Sequence, residues 1–529
     1  MKKIQIWLPL LFAIVMIFGM RIGYKLRENI PVSQGLFHTS KRSSVQEVMD
    51  LLRLKYVDPI NTDTLVDDAI EAMLAHLDPH SIFIPARHLQ EVNEDLQGNF
   101  EGIGVEFQII KDTVHVISVL PAGPSEKAGL KVGDRFIKVG DSLVAGTGID
   151  AERIKNLLRG PGGTKVEVRL KRGEGMQQIV ITRGTIPLFS VDAAYMMDSV
   201  TGYIHLNKFS GTTYEEFMNA LEKLQKQGLK KLIFDLRDNG GGILGEAVDI
   251  VDEFLDERKL IVYTEGIQQK KQEYHTKRPG LFEEGELVIL VDEGSASASE
   301  VVAGALQDWD RATIIGRRTF GKGLVQEQYV LSDGSALRLT VARYYTPTGR
   351  SIQKSYSQGR SVYHDEVLDR FQNGEVMHAD TIKSAQGEAY KTKGGRTVYG
   401  GGGITPDIFV AYDTTGFTTD VSSIFYNQNF GKFIYRYYIN NKPYFDQFKD
   451  PADFAKRYQE TEKAYESLKE YLSANNINMP ALPEKDKSEI KKRIKTWMAR
   501  QIWRMQGYFE VHNTFDKTVQ RAVEVIGDE

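Results

Sequence analysis

The chain has 529 residues, of which 41% are hydrophobic and 26% charged, and Lys+Arg 67 against Asp+Glu 71 give a formal charge of −4. At roughly 100–200 residues per domain, this length predicts about three or four domains, and the near-neutral charge argues against a protein held to nucleic acid by net charge. The absence of cysteine excludes thiolate nucleophiles, disulfides and zinc–cysteine sites.

The first predicted element is a membrane anchor. A Lys pair at positions 2 and 3 is followed by uncharged residues 4–20, and the run ends without the small residues of a cleavage site. Its length is near the lower limit for a spanning helix. We therefore predict that residues 1–24 form an uncleaved anchor in the cytoplasmic membrane, with a cleaved signal segment as the alternative. The remainder is expected outside the cytoplasm, in the periplasm.

Residues 25–97 form a predicted helical region. Apolar residues recur there at spacings of three and four. His76 and His80 also lie four residues apart, but Pro79 separates them and no Glu follows His76. We interpret both histidines as ordinary surface residues and not as zinc ligands.

The middle of the chain divides into two parts. Residues 98–184 contain short β-rich runs joined by glycine turns, which predicts a small mixed domain. Residues 185–412 alternate buried-type strands, such as 232–236 and 287–291, with helices. The fold class is therefore α/β and multidomain. Within the second part, residues 354–402 are polar and lack sustained periodicity, so they are predicted to be an insertion or an exposed flap.

Residues 413–529 form a predicted C-terminal helical domain. The stretch 487–506 is a basic amphipathic helix with Ile490, Ile494, Trp497 and Met498 on one side. Membrane-surface or nucleic-acid contact would fit this pattern, as would assembly with another protomer. We favour a bundle helix that buries its apolar side, because Glu-rich neighbouring segments can pair with its lysines.

Two segments carry candidate chemistry. Asp292–Glu300 contains Ser295, Ser297 and Ser299 and runs into a helix, where free N–H groups can stabilise an oxyanion. Lys322 lies between two glycines, and burial would lower its pKa towards that of a general base. The spacing Gly-x4-Gly-Lys also matches a phosphate-binding loop, but position 323 is Gly and a strand follows. Together the segments suggest a Ser–Lys dyad.

The motifs resemble those of the carboxyl-terminal processing peptidases, also called tail-specific proteases. Similar segments occur in the same order from about residue 45 to 412: Asp235–Gly242, Gly294–Glu300, Phe320–Gln326, Leu337–Pro347, Gly349–Gln353 and Gly403–Asp407. The resemblance implies a protease core of the ClpP/crotonase type. The sequence departs from the family's pattern in residues 354–402, which separate two of its motifs, and in the domain after Asp413.

The same resemblance assigns the catalytic roles. Ser297 is the implied nucleophile, Lys322 the general base and Gln326 the residue that orients the lysine amine. The backbone N–H groups of Gly242 and Ala298 form the implied oxyanion hole. No metal or organic cofactor is expected. The preference for Ser297 over the two neighbouring serines rests on the family motif.

The small domain 98–184 resembles a PDZ module. In such a module, a loop like Gly102-Ile103-Gly104-Val105 offers N–H groups to the carboxylate of a peptide. The peptide would add as a strand, with its last side chain against Ile154 and Leu157. The alternative, without peptide binding, is a glycine hairpin on a small barrel. We also expect Arg159 to be a contact between this module and the protease core.

The expected function is that of a serine endopeptidase that recognises protein C-terminal tails and cleaves peptide bonds through an acyl-enzyme. The expected partners are protein substrates with a free C-terminus, the membrane at the N-terminal segment, and a second copy of the chain through the helical termini. The alternative is a non-catalytic PDZ scaffold or chaperone built on a protease-like core.

Overall fold

A computed structural model describes residues 12–21, 43–378, 387–414, 422, 424–425, 428–477 and 479–527. The chain divides into two compact units, residues 1–72 and 73–529. In the first unit, residues 12–21 are helical, and helix α1 (Ser44–Lys55) is capped by Ser43, whose Oγ accepts a hydrogen bond from Gln46 N. Helix α2 (Thr62–Leu74) runs across the boundary.

No helix within these described ranges combines the length and the apolar character that crossing a membrane requires. Residues 4–11 of the predicted anchor lie outside the described residues, so the anchor stays a prediction.

The second unit begins with strand β1 (Ile82–Ile84), helix α3 (Ala86–Gln97) and strand β2 (Asn99–Gly102). Six strands then form a small sheet in the order β3-β4-β5-β7-β8, with β6 beside β5. Their bounds are Val105–Ile110, Thr113–Val119, Arg135–Val139, Ser142–Leu143, Lys165–Arg172 and Gly175–Thr182.

Two short helices, α4 (Pro124–Lys127) and α5 (Ala151–Leu158), complete this small domain. Strand β9 (Gly184–Pro187) returns antiparallel to β2. The small domain is therefore joined to what precedes and follows it by one two-stranded ribbon.

The main core is a six-stranded sheet in the order β10-β11-β12-β15-β16-β21. Its strands are Val191–Met196, Thr201–Leu206, Lys231–Asp235, Glu286–Val291, Thr313–Gly316 and Ile408–Phe409. All neighbours from β11 to β21 are parallel. Helices α6 (Thr213–Lys226), α7 (Leu244–Asp252) and α8 (Ala298–Asp308) pack on one face. The predicted α/β class is confirmed, and its strands are near-continuous apolar runs because both faces are covered.

A second, antiparallel sheet contains β1 and four further strands, in the order β1-β18-β13-β14 with β17 beside β18. These strands are β13 Leu260–Glu265, β14 Gln272–His275, β17 Leu324–Val330 and β18 Ala336–Tyr345. The loop between β16 and β17 carries the predicted lysine. Strand β1 pairs with β18, and β17, which follows this loop, pairs with β18 as well.

Residues 354–402 contain helix α9 (Arg360–Gln372) and a hairpin of β19 (Ala389–Lys391) and β20 (Thr397–Tyr399). The helix buries Tyr363 and Arg370. Most of its other side chains are exposed, so this helix lies at the surface and is attached through these two residues. Its buried side lacks a repeating apolar pattern because its largest buried groups are a tyrosine and an arginine.

The C-terminal part is helical, and its apolar residues form a separate core rich in aromatic rings. The helices are α10 Gln428–Asn440, α11 Lys442–Phe445, α12 Pro451–Arg457, α13 Thr461–Ala474, α14 Glu484–His512 and α15 Lys517–Gly527. Ile490, Ile494 and Met498 are buried in α14, which confirms the bundle interpretation of this helix.

Helix α14 bends where Trp503 and Arg504 leave helical geometry. Before the bend, Gln501 Nε2 donates a hydrogen bond to Ile117 O in β4 at 2.7 Å. After it, Gln506 Oε1 accepts one from Ala194 N in β10 at 2.9 Å. One bent helix thus contacts both the small domain and the main sheet.

Candidate active site

Ser297 lies in the turn between β15 and α8, at the carboxyl end of a central parallel strand. Such strand ends are where open α/β sheets commonly place ligands and catalytic groups. Its backbone has φ +55° and ψ −111°, an unfavourable conformation for a residue with a Cβ. The side chain is half-buried, and the helix that follows begins at Ala298. The turn therefore presents one hydroxyl at a helix N-terminus.

The two neighbouring serines are already engaged in structural hydrogen bonds. Ser295 Oγ donates to Leu236 O at 2.8 Å, and Ser299 Oγ donates to Asn239 O at 2.9 Å. Both side chains are fully buried. Of the three serines in the motif, Ser297 is the one whose hydroxyl is open to a substrate.

Lys322 is held by Gln326, four residues further along the chain. Lys322 Nζ donates a hydrogen bond to Gln326 Oε1 at 2.9 Å. Burial lowers the pKa of Lys322 and the nearby Arg338 cation adds to this, while Glu300 and Asp78 act in the opposite direction. A lowered pKa increases the fraction of neutral amine that can accept a proton at neutral pH.

Ser297 and Lys322 are neighbours, although Ser297 Oγ and Lys322 Nζ, both within the described chain, share no hydrogen bond. Tyr344 joins their backbones, because its hydroxyl donates to Ser297 O at 3.0 Å and to Lys322 O. The turn that carries Ser297 and the loop that carries Lys322 are therefore held side by side.

Glu300 connects the serine turn to the lysine loop more extensively. Its Oε2 accepts hydrogen bonds from Ser297 N at 2.9 Å and Lys322 N at 2.8 Å. Its Oε1 accepts from Thr319 Oγ1 at 2.5 Å and Gly321 N at 2.8 Å. Burial raises the pKa of Glu300, and these hydrogen bonds oppose the rise.

The sequence reasoning did not single out Glu300. The signal was present, because Ser297-x-x-Glu300 has the spacing of a capping box at the start of a helix.

His80 also belongs to this site, so the interpretation of it as a surface residue is wrong. Its carbonyl accepts a hydrogen bond from Gln326 Nε2 at 2.5 Å, and its ring Nε2 lies 2.7 Å from Tyr363 Oη. Burial, with Lys322 as the next contributor, lowers the pKa of His80 to about 3. The ring is therefore neutral at physiological pH. The spacing of the two histidines bears only on metal binding by their rings, whereas His80 contacts Gln326 through its backbone carbonyl.

Asp78 fixes the turn that carries His80. Its carboxylate accepts hydrogen bonds from His80 N at 2.8 Å, from Ser81 N and Oγ, and from Thr340 Oγ1 at 3.1 Å. The turn between α2 and β1 thereby holds the amide of Gln326, and through it the lysine amine.

The predicted oxyanion groups lie on two loops that are tightly joined. A Cβ placed on Gly241 would come within 2.8 Å of both Ala298 N and the Cβ of Ser297, so only glycine fits there. Ala296 N donates to Asn239 O at 2.9 Å. Neither Gly242 N nor Ala298 N donates a hydrogen bond to any residue that the structure describes. Both N–H groups are free to bind an oxyanion.

In the small domain, the loop Gly102–Val105 has the features needed to bind a carboxylate. The N–H groups of Ile103 and Gly104 donate no hydrogen bond within the described part of the chain, and Gly104 has φ +73°. Leu157 is partly buried, whereas Ile154 is fully buried in the core of the domain. The structure therefore places Leu157, but not Ile154, where a peptide side chain could reach it.

Arg159 contacts the helix before the small domain and not the main sheet. Its Nη1 forms an ion pair with Glu94 of α3 at 3.0 Å, and its guanidinium lies over the ring of Phe100. The expected contact with the protease core is therefore wrong, since Arg159 joins α5 to α3.

Comparison with known proteins identifies similar families for three parts of the chain. Peptidase family S41 matches residues 200–359, the PDZ domain family matches 115–172, and a family of unknown function (DUF8443) matches 421–504. The carboxy-terminal-processing protease of Bartonella bacilliformis is 35% identical over 313 residues, covering 58% of this chain and 71% of that protein.

Two further similarities are of the same kind. A probable CtpA-like serine protease of Staphylococcus aureus is 36% identical over 330 residues, which cover 62% of this chain and 64% of that protein. Among solved structures, the photosystem II D1 C-terminal processing protease is 32% identical and covers 59% of this chain and 84% of its own, with a TM-score of 0.33.

Proposed function

Because the chain belongs to the S41 family of carboxy-terminal-processing serine proteases, we propose that it cleaves protein substrates with a Ser297–Lys322 dyad. The observation that carries the proposal is the half-buried lysine amine held by Gln326. Burial lowers the pKa of this amine, and Gln326 accepts a hydrogen bond from it. The backbone N–H groups of Ser297 and Lys322 both donate to the carboxylate of Glu300, which holds the one accessible serine of the turn beside the lysine loop.

The proposed reaction begins when Lys322 takes the proton of the Ser297 hydroxyl as Oγ attacks the substrate carbonyl carbon. Gly242 N and Ala298 N stabilise the resulting oxyanion. Lys322 then gives its proton to the leaving amine, and an acyl-enzyme remains on Ser297. Water, deprotonated by the same lysine, hydrolyses this ester and restores the hydroxyl. Since Oγ and Nζ are not hydrogen-bonded at rest, a side-chain rotation must bring them together first.

We further propose that substrates are selected by a free C-terminal carboxylate. The PDZ domain offers unpaired N–H groups at Ile103 and Gly104, and an extended peptide could add as a strand beside β3. The substrates are then the carboxyl-terminal tails of proteins. Binding there is separate from the chemistry at Ser297.

Three finer expectations accompany this proposal. They are an anchor over residues 4–20, an extracytoplasmic location, and a ClpP/crotonase-type core. The anchor rests on the N-terminal sequence pattern, the location follows from the anchor, and the core type rests on the family resemblance. Association of two copies through the helical termini is a separate proposal, which rests on the amphipathic pattern of those helices.

The test compares cleavage of an unfolded protein with a nonpolar free C-terminus by the full chain and by Ser297→Ala and Lys322→Ala. We expect both variants to lose cleavage, and the exposed Ser473→Ala control to keep it. Activity that persists in both variants would refute the dyad. A wild-type chain that binds the tail without cleaving it would favour the non-catalytic scaffold.

A second measurement addresses tail recognition. Amidating the C-terminus of the same substrate removes the carboxylate but leaves the scissile bonds unchanged. We expect KM to rise for the amidated substrate because the loop at Ile103 and Gly104 loses its anion. Equal kcat/KM values for both substrates would contradict recognition of the carboxylate.

A further inference from the structure

Arg370 of helix α9 lies against the loop that carries Lys322. The side chain is 2% exposed. Its Nη1 donates hydrogen bonds to Arg318 O and Thr319 O, both at 2.9 Å, and its Nη2 donates to Phe320 O at 3.3 Å. One buried guanidinium thus binds three successive carbonyl groups just before Gly321 and Lys322.

The charge of this guanidinium is balanced within α9 itself. Glu366 lies one helical turn earlier and binds Arg370 through two parallel hydrogen bonds of 2.8 and 2.9 Å. Burial alone would raise the pKa of Glu366, but Arg370 and Lys354 outweigh it and lower the pKa to about 2. The Glu366 carboxylate is therefore ionised over the pH range of an assay. A planar fork held in this way has one preferred orientation.

The lysine loop needs such support because it has no regular secondary structure. Residues 318–323 belong to neither helix nor strand. Glu300 binds the N–H groups of Gly321 and Lys322 from one side, and Arg370 binds the carbonyl groups of the preceding residues from the other. Two buried side chains therefore bind the backbone that places the lysine, in addition to backbone hydrogen bonds such as that from Phe320 N to Ser295 O at 3.0 Å.

Helix α9 makes a second contact with the same site. Tyr363 Oη meets His80 Nε2 at 2.7 Å, and the His80 carbonyl holds Gln326. Lys354 Nζ lies 4.4 Å from the Tyr363 ring and 3.9 Å from the Phe320 ring, so charged and aromatic groups fill the space between α9 and the loop.

We propose that Arg370 is a positioning residue for Lys322, and that helix α9 is consequently required for catalysis. This inference rests on the proposed function of the dyad. Arg370 does not touch the reacting atoms, so its loss should lower kcat while leaving tail binding unchanged. A displacement of about 1 Å in a catalytic group can cost on the order of 100-fold in rate.

The experiment uses the full chain with Arg370→Gln, Arg370→Lys and the control Asp365→Asn, which alters an exposed residue of the same helix. We expect kcat to fall about 10- to 100-fold in Arg370→Gln, with KM within about twofold of wild type and the control unchanged. Arg370→Lys keeps the charge beside Glu366 but lacks the planar guanidinium. Its kcat should therefore lie between those of wild type and Arg370→Gln.

The second measurement is hydrogen exchange of the backbone amides in residues 318–323. It should be faster in Arg370→Gln than in wild type, at a temperature where both are folded. If Arg370→Gln fails to fold, Arg370→Lys carries both measurements.

The outcomes separate the two proposals. A wild-type chain without Ser297-dependent cleavage refutes the proposed function, and hydrogen exchange still tests the support of the loop by Arg370. If wild type is active and Arg370→Gln is equally active, or differs from wild type only by a higher KM, the positioning role alone is overturned. Unchanged exchange in residues 318–323 also overturns it.

Discussion

Replacing Glu300 by glutamine is the sharpest test of how the serine turn and the lysine loop are joined. The fully buried carboxylate accepts four hydrogen bonds. An amide of the same shape can accept on one side only. In the more favourable orientation of this amide, its oxygen accepts hydrogen bonds from Ser297 N and Lys322 N. Its NH2 group then donates to the Thr319 hydroxyl, which must rotate to accept. Gly321 N is left facing the NH2 group without an acceptor.

The expected cost follows from this geometry. A hydrogen bond to a charged group contributes about 1.5–3 kcal/mol, and a neutral one about half of that. One bond is lost and two are weakened, while the relief of a buried charge offsets part of the loss. We therefore expect Glu300→Gln to destabilise the protein by about 2–3 kcal/mol and to lower Tm by about 2–3 °C in a chain of this size.

Activity should suffer more than stability. With Gly321 released, Lys322 loses its fixed position, and kcat should fall by a factor of at least about ten with little change in KM. The control is Glu327→Gln, the same chemical change at an exposed position on β17. The assay is cleavage of a tailed substrate well below the melting temperature of the variant. A Glu300→Gln enzyme with kcat within twofold of wild type would refute the bridging role.

Three further changes test other parts of the site. Arg338→Gln removes the cation that helps burial to lower the pKa of Lys322, so the rise of kcat with pH should move to more alkaline pH while the plateau stays the same; an unshifted profile would contradict this. His80 has a pKa of about 3 when folded and about 6.5 when unfolded, so the unfolded chain binds an extra proton between these values and stability should fall as pH drops from about 6.5 towards 3. His80→Asn should flatten the fall in Tm over that range, and an unchanged slope would count against the assignment. Asp516→Asn weakens the largely buried pair with Arg237, which begins the glycine loop, so both Tm and kcat should drop relative to Glu524→Gln on the helix that follows Asp516; a drop in neither would show that this pair does not support the loop.

The sequence was most informative where local pattern and local structure coincide. The strand before Ser297 and the helix after it could be predicted because a short apolar run ends in small residues and a helical period follows. The predicted strand 287–291 is observed as Glu286–Val291, and the helix predicted to follow the serine motif is observed as Ala298–Asp308. The family motifs then directed attention to Ser297, Lys322 and Gln326.

The partners of those residues were harder to predict because they are distant in sequence. His80 reaches Gln326 through a backbone carbonyl, and a carbonyl leaves no signature in residue type. Arg370 is buried because Glu366 and three carbonyl groups satisfy it, so composition alone places it on the surface. Ile154 was assigned to a peptide groove from its helix, although its rotational position turns it into the core.

The assembly of the site from remote segments has a consequence for the timing of activity. The groups around the dyad come from Asp78–Ser81, Gly241–Gly242, Ser297–Glu300, Lys322–Gln326 and Arg370. A ribosome makes these segments in order, and early parts of a chain fold before later ones. A growing chain that ends before residue 370 contains Ser297 and Lys322 but lacks the arginine that binds three carbonyl groups of the lysine loop. A nascent chain would therefore complete these contacts with the lysine loop only after Arg370 has been synthesised.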